Sequence, residues 1–182
     1  VPMAGGSLIT RVGKAFDEIS EIGLVEGKPY ILFGAQATGC SPITSAVKAG
    51  RREIEPQRPS TIARSLAIGN PADGYYATEA MMASGGTGED VSDAEVVAGM
   101  KLLAETEGIL GETAAGVTVA VAKKLFASGK MNPDAETVLC VTGNGLKTLD
   151  ALQNQLDLGL TIRPRLEEFE EQVLNAVQAT SA

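Results

Sequence analysis

The chain has 182 residues, carries 15 Lys and Arg against 23 Asp and Glu for a formal net charge of −8, and is 44% hydrophobic. That apolar fraction can close a sizeable core, so one domain, or one domain with a tail, is expected rather than disorder, while the acidic balance disfavours nucleic-acid and anionic-membrane partners. There is no histidine, which excludes Ser-His-Asp triads, Cys-His nucleophiles and His-containing metal sites.

Leu8, Ile9, Val12, Phe16 and Ile19 recur at helical spacing, with Arg11, Lys14, Asp17, Glu18 and Glu21 opposite and Gly23 as a stop. This predicts an amphipathic helix. Tyr30 to Phe33 is a short apolar run after Pro29 and reads as a buried strand, ending in a small-residue turn from Gly34 to Gly39. Ser41 as N-cap, Pro42 at the first helical position and Gly50 past the end predict the next helix. Arg51 to Ser60, with Pro56 and Pro59, reads as loop. Helical segments follow around Thr61 to Ile68 and Gly74 to Ala83, before Gly85-Gly86-Thr87-Gly88 breaks the pattern.

Ser92-Asp93-Ala94-Glu95 is a capping box for a helix that runs through Val96, Met100 and Leu103 and ends near Gly108. Thr113 can cap a further helix, Ala114 to Ser128, closed by Gly129. Val138 to Val141 reads as a second buried strand, delivering the polar turn Thr142-Gly143-Asn144-Gly145. From about Gln153 the chain turns polar. Pro164 starts a last helix with Phe169, Val173 and Val177 on one face, to pack on its own domain or a partner subunit, unless the segment is a partly ordered tail. The expected organisation is therefore a domain over residues 1–152 and a helical tail over 153–182.

Strands separated by helices imply a parallel α/β sheet with ligands at the carboxyl ends of its strands. Cys40 and Cys140 lie far apart beside apolar residues, which predicts buried, reduced thiols and no metal site. No apolar run approaches the ~18 residues of a membrane span, and the N-terminus carries no signal pattern, so a cytoplasmic location is expected.

Two places suggest chemistry. Pro2-Met3-Ala4-Gly5-Gly6-Ser7-Leu8 precedes the first helix, where glycines let backbone N–H groups converge and the helix adds partial positive charge, so that a phosphate can bind without a lysine or arginine. The plainer reading is a turn at Gly5-Gly6 with Ser7 as an ordinary N-cap. It is not a GxGxxG fingerprint, and no Walker pattern occurs, which disfavours a nucleotide-binding module. Thr142 places a hydroxyl where a strand becomes a glycine-flanked turn, and alone it reads as a turn cap. A phosphate cradle and a neutral hydroxyl together could hold the two ends of a phosphorylated aromatic cofactor such as pyridoxal phosphate.

Five blocks stand in a familiar order and spacing. They are Pro2-Met3-Ala4-Gly5-Gly6-Ser7-Leu8-Ile9-Thr10, Gly34-Ala35-Gln36-Ala37-Thr38-Gly39-Cys40-Ser41-Pro42-Ile43, Ser65-Leu66-Ala67-Ile68-Gly69-Asn70-Pro71, Thr106-Glu107-Gly108-Ile109 and Thr142-Gly143-Asn144-Gly145-Leu146-Lys147. From residue 1 to about 152 the chain resembles the C-terminal half of the threonine synthases, within the fold-type II pyridoxal phosphate enzymes. The resemblance implies a three-layer α/β/α fold with a mostly parallel sheet, the large-domain part of a tryptophan synthase β-like enzyme. It also implies conversion of O-phosphohomoserine and water to threonine and phosphate, and a homo-oligomer.

Carried over by position, Ala4, Gly5, Gly6, Ser7 and Leu8 would form the phosphate loop and the Thr142 hydroxyl would meet the pyridine nitrogen. A hydroxyl does not hold that nitrogen fully protonated as a carboxylate would. Glu112 matches a family Glu segment, although a charge beside a helix N-terminus explains it equally well; Gln36 and Thr38 are further pocket candidates. Where some relatives have Gly-Asn-Ala-Gly-Asn, this loop reads Ala-Gly-Gly-Ser-Leu, and Asn144 stands where many have His or Asp.

The family's Ser-Phe-Lys-Asp block, source of the Schiff-base lysine, occurs nowhere, and none of Lys14, Lys28, Lys48, Lys101, Lys123, Lys124, Lys130 or Lys147 has that context. No catalytic residue is therefore assigned in this chain. The expectation is a fragment whose lysine lies in a missing N-terminal lobe, inactive alone. A dehydratase or cysteine synthase activity is the near alternative, and a non-catalytic binding or oligomerisation module the distant one.

Overall fold

The computed structural model describes residues 1–153 and 162–174. It divides into two compact units, Val1–Ala151 and Leu152–Ala182. The first unit carries α1 (Ser7–Glu21), β1 (Gly34–Ala37), α2 (Pro42–Lys48), α3 (Gly74–Ala83), β2 (Gly88–Val91), α4 (Asp93–Glu107) and α5 (Thr113–Ala127). In the second unit α6 (Leu166–Phe169) is continued by a π-helical turn, Glu170–Leu174. The predicted start at Pro164 thus moves to Leu166, and Val177 lies outside the described residues.

The architecture is mixed α/β with a small parallel sheet. β1 and β2 run parallel, Gly34 opposite Gly88 through Ala37 opposite Val91. On the other side of β1, Pro2 bridges Ala35 in parallel, the Ala35 amide donating to Val1 O and the Met3 amide to Ala35 O, each at 2.9 Å. The first three residues thus end beside the sheet, and the chain passes through Ala4-Gly5-Gly6 into α1 at the carboxyl edge. Met3, Ile9, Leu32, Ile43, Val47, Ala77 and Met81 form the core cluster around this junction.

Two strand expectations need correction. The apolar run Tyr30–Phe33 is not a strand, and the ladder begins at Gly34, inside what reads as a turn. The reason is volume. Met3 and Met81 fill the space above Gly34, where a Cβ would lie 2.4 Å from the Met3 Cε and 2.6 Å from the Met81 Sδ, so the fully buried strand begins at a glycine rather than in the bulky run before it. Ile31 faces outward at 57% exposure. Val138 to Val141 is likewise neither buried nor paired; Val138 is 80% exposed, and no strand among the described residues includes the segment. β2, Gly-Glu-Asp-Val, has too little apolar character to be read as a strand from the sequence.

The helix expectations fare better. α1, α2 and α3 lie where the periodicity places them, and Ser92 caps α4 with both halves of the box formed: the Glu95 amide donates to Ser92 Oγ at 3.3 Å and the Ser92 amide to Glu95 Oε2 at 2.7 Å. Gly108 and Gly129 take the left-handed conformation. α5 begins one residue early, at Thr113, with Glu112 as its N-cap. Thr61 to Ile68, by contrast, is mostly irregular with a single 3-10 turn, Arg64–Leu66. Its start is held by Asp93, which accepts from Thr61 Oγ1 and the Ile62 amide, so a side chain replaces the helical ladder there. Cys40 is buried, and burial pushes its thiol pKa up; Cys140 is half-buried, and both are free. Among the described residues no helix is long and apolar enough to cross a membrane.

β2 can place a carboxylate in the sheet because cations surround it. Glu89, 8% exposed, pairs with Lys48, with Lys130 at 3.5 Å and with Lys124 at 3.8 Å. Burial alone would raise its pKa, but hydrogen bonds from Lys48 and the Asp90 amide, with the charges of Lys48 and Lys124, hold it at about 2. Because the folded value lies below the unfolded value of 4.5, the stabilisation is complete above that pH and is lost as pH falls from there toward the folded value. Glu89→Gln should destabilise the chain at neutral pH by roughly 1–3 kcal/mol. Thermal melts across that acid range should show the gap between variant and parent closing; a gap constant with pH would contradict the assignment.

Candidate functional site

The loop at the start of α1 is shaped by Gly6, which sits at φ 92°, in the left-handed region, and serves as N-cap of the helix. A Cβ there would lie 2.8 Å from the Asp73 carbonyl oxygen and 3.0 Å from the Ala77 Cβ. The loop is tied to the start of α3 by the Asp73 amide, which donates to Gly5 O at 2.9 Å, and to its own helix by Thr10 Oγ1, which donates to Gly6 O at 2.9 Å. Ser7 is not the cap; it is the first helical residue and is exposed. Since Gly6 has no side chain, no side-chain oxygen caps the first-turn amides, and no acidic residue occupies that turn. Free amides at the positive end of a helix are what an anion seeks.

These residues line a cavity of about 310 Å³ together with Ser65, Leu66, Glu112, Ala114 and Thr142. The two features singled out in the sequence, Ala4 to Leu8 and Thr142, therefore share one concavity, although 133 residues lie between Leu8 and Thr142. No lysine or arginine is in the lining. A Cβ built on Gly5 meets nothing within 4 Å, so open space lies beside the loop backbone.

Thr142 is half-buried, and its hydroxyl has no hydrogen-bond partner among the described residues. Its turn is fixed from several sides. Gly143 takes φ 72° with its carbonyl accepting from the Glu112 amide at 3.3 Å, Asn144 Oδ1 accepts from the Leu146 amide, and the Gly145 amide donates to Leu110 O at 2.8 Å. The Thr113 amide donates to Thr148 Oγ1. Glu112 is 5% exposed, with Oε2 2.9 Å from Lys147 Nζ.

Two other candidates fall elsewhere. Gln36 is fully buried and caps α2, its Oε1 accepting from the Ile43 and Thr44 amides at 3.0 Å each, while its Nε2 donates to Met3 O. Thr38 donates to Asp90 Oδ2 at 2.7 Å. Neither lines the cavity. Ser65 and Leu66 do, and periodicity could not have found them because they sit on an isolated 3-10 turn.

The uncapped start of α1 and Thr142 thus line one cavity of a mixed α/β unit. The family model described as pyridoxal-phosphate dependent enzyme matches residues 1–143, and the chain belongs to that family. It is 38% identical over 152 residues to a threonine synthase from Methanocaldococcus jannaschii, covering 83% of this chain and 37% of that protein. A threonine synthase from Methanosarcina acetivorans is 39% identical over 143 residues, covering 78% and 35%. A third, from Halalkalibacterium halodurans, is 33% identical over 168 residues, covering 92% and 45%. The chain thus spans less than half the length of these relatives. Among solved structures it is similar to threonine deaminase isoform 2 from Solanum lycopersicum, with TM-score 0.63 and 18% identity over 87% of this chain and 43% of that one. An L-serine ammonia-lyase from Rhizomucor miehei gives TM-score 0.62 at 21% identity, covering 85% and 48%. At such identities these structures show a shared fold.

The residues present fit the family's cofactor. The open space at Gly5, the uncapped amides of α1 and the unpartnered Thr142 hydroxyl suit a phosphate and a ring nitrogen. Neighbouring glycines should then respond differently to substitution. Gly6→Ala forces a Cβ onto Asp73 at positive φ and should lower stability by about 1–3 kcal/mol. Gly5→Ala should leave the melting temperature nearly unchanged but weaken pyridoxal 5′-phosphate binding about tenfold, or about 1.4 kcal/mol. Melting curves and a binding titration on both variants check this, and equal stability losses would contradict it.

Proposed function

We propose that this chain is the large-domain, cofactor-holding part of a threonine synthase, converting O-phosphohomoserine and water to threonine and phosphate. The observation that carries the proposal is the shared cavity of the Ala4–Leu8 loop and Thr142. The identity to three threonine synthases over most of this chain supports the choice of substrate. In this reading the unit belongs to a three-layer α/β/α large domain of fold-type II, in a cytoplasmic homo-oligomer.

Each residue then has a task. The backbone amides of Ala4 to Leu8 bind the cofactor phosphate, aided by the positive end of α1. Thr142 meets the pyridine nitrogen with a neutral hydroxyl and orients the ring. Ser65, Leu66 and Ala114 close the walls and keep water from it. Bound pyridoxal phosphate supplies the electron sink for bond cleavage on an amino acid substrate. The cavity lining contains no lysine, so in this reading the Schiff-base lysine comes from polypeptide outside these 182 residues, as do most substrate contacts.

The gene product purified from its native cell should form threonine and phosphate from O-phosphohomoserine and be much heavier than 18.8 kDa. The 182-residue chain alone should form no threonine. Thr142→Val in the native-length protein should lower turnover more than it lowers phosphate-loop affinity. Serine or threonine deamination without threonine formation would move the assignment to a sibling activity, and a native product that binds no pyridoxal phosphate would end it.

A further inference from the structure

Two groups in the cavity lining could face a pyridine nitrogen with opposite consequences, the Glu112 carboxylate and the Thr142 hydroxyl. A carboxylate holds a proton on such a nitrogen, whereas a hydroxyl does not. The geometry shows which of the two is engaged. Glu112 Oε2 is taken by Lys147 Nζ at 2.9 Å, and Oε1 is pressed so closely to Gly143 that a Cβ on that residue would sit 2.1 Å from it. The Glu112 amide is joined to the same turn through Gly143 O. Thr142, the residue before that glycine, has the hydroxyl without a partner among the described residues.

We propose that the Lys147–Glu112 ion pair withholds a carboxylate from the cofactor ring, so that the neutral Thr142 hydroxyl alone meets the ring nitrogen and leaves it unprotonated. This rests on the assignment of the cavity to pyridoxal phosphate. Lys147 is 63% exposed on its side chain while Glu112 is 7% exposed on its own, so the pair is lopsided. Removing the lysine costs little packing but leaves a nearly buried carboxylate without its cation. In this proposal the counter-charge is then a proton on the ring nitrogen, in the cavity that Glu112 lines. Lys147 and Glu112 are positioning residues in this scheme, acting through the charge offered to the ring rather than by touching substrate.

Nuclear magnetic resonance of pyridoxamine 5′-phosphate, labelled with nitrogen-15 in the ring and bound to the 182-residue chain, reads the protonation directly. This ligand needs no lysine for attachment. At neutral pH the unaltered chain should show the unprotonated resonance position. Lys147→Met should move it to the protonated position, Lys147→Arg should leave it as in the parent, and Lys147→Met combined with Glu112→Gln should return it to the unprotonated position. A merely structural role would alter affinity or melting temperature in these variants without moving the resonance. Should Lys147→Met not fold, Lys147→Gln keeps the length and polarity and makes the same test. A protonated ring in the unaltered chain, or an unmoved resonance once Lys147 is replaced, overturns the proposal. Absence of any binding to the unaltered chain is a separate result, which removes the cofactor assignment and this proposal with it.

Discussion

Everything at the site depends on how the chain enters α1. Val1–Met3 is fixed beside β1 by backbone hydrogen bonds, and four residues after Met3, at Ser7, the backbone must be helical. Gly6 makes that turn possible by taking φ 92° against Asp73, in a space that has no room for a Cβ. The consequence is a helix start with no capping side chain. In most helices a serine, threonine or aspartate would satisfy those amides; here they remain available to a ligand. The anchor beneath them, Met3 and Ile9 in the main core cluster, keeps the amides from swinging.

The other wall is set by α5. Gly99 and Gly116 let α4 and α5 approach until a Cβ on Gly116 would lie 2.4 Å from Val96 O. That close crossing fixes the N-terminus of α5, and with it Glu112 and Ala114. Glu112 in turn holds the Thr142 turn through its amide, its side chain and Lys147. The two halves of the cavity are therefore positioned independently, one by the first core cluster and one by a helix pair. This is how residues at opposite ends of the unit's sequence come to face each other.

Helices were legible in the sequence because their signals are local. The capping box at Ser92 and the glycine stops at Gly108 and Gly129 depend on residues within one turn of each other. Strands were not, because their identity here depends on partners far away. β1 starts at Gly34 because Met3 and Met81 occupy the space there, and β2 tolerates Glu89 because Lys48, Lys124 and Lys130 arrive from other elements. The segment Val138–Val141 has the bulk of a buried strand without a partner among the described residues, so its composition alone misled. The Ala4–Leu8 loop and Thr142 were visible as glycine-flanked turns and could be joined as the two ends of one ligand, but that they line one cavity shows only in the fold. The structural role of Gln36, as a cap for α2, could not be seen without coordinates.

The charge of the chain sharpens the same point about the loop. A protein with net charge −8 repels a phosphate dianion at long range, and no lysine or arginine in the cavity reverses this locally. In the proposed site, attraction would therefore come from dipoles, whose fields fall off within about one helical turn. Such a site works only when the amides are already aimed, since an amide that must reorient gives back much of what the contact contributes. The rigid placement of Gly6 against Asp73, the bond from the Asp73 amide to Gly5 O and the packing of Met3 are thus parts of the electrostatics as much as of the fold. In the proposed reading, an acidic chain that holds an anion without a cation does so by geometry.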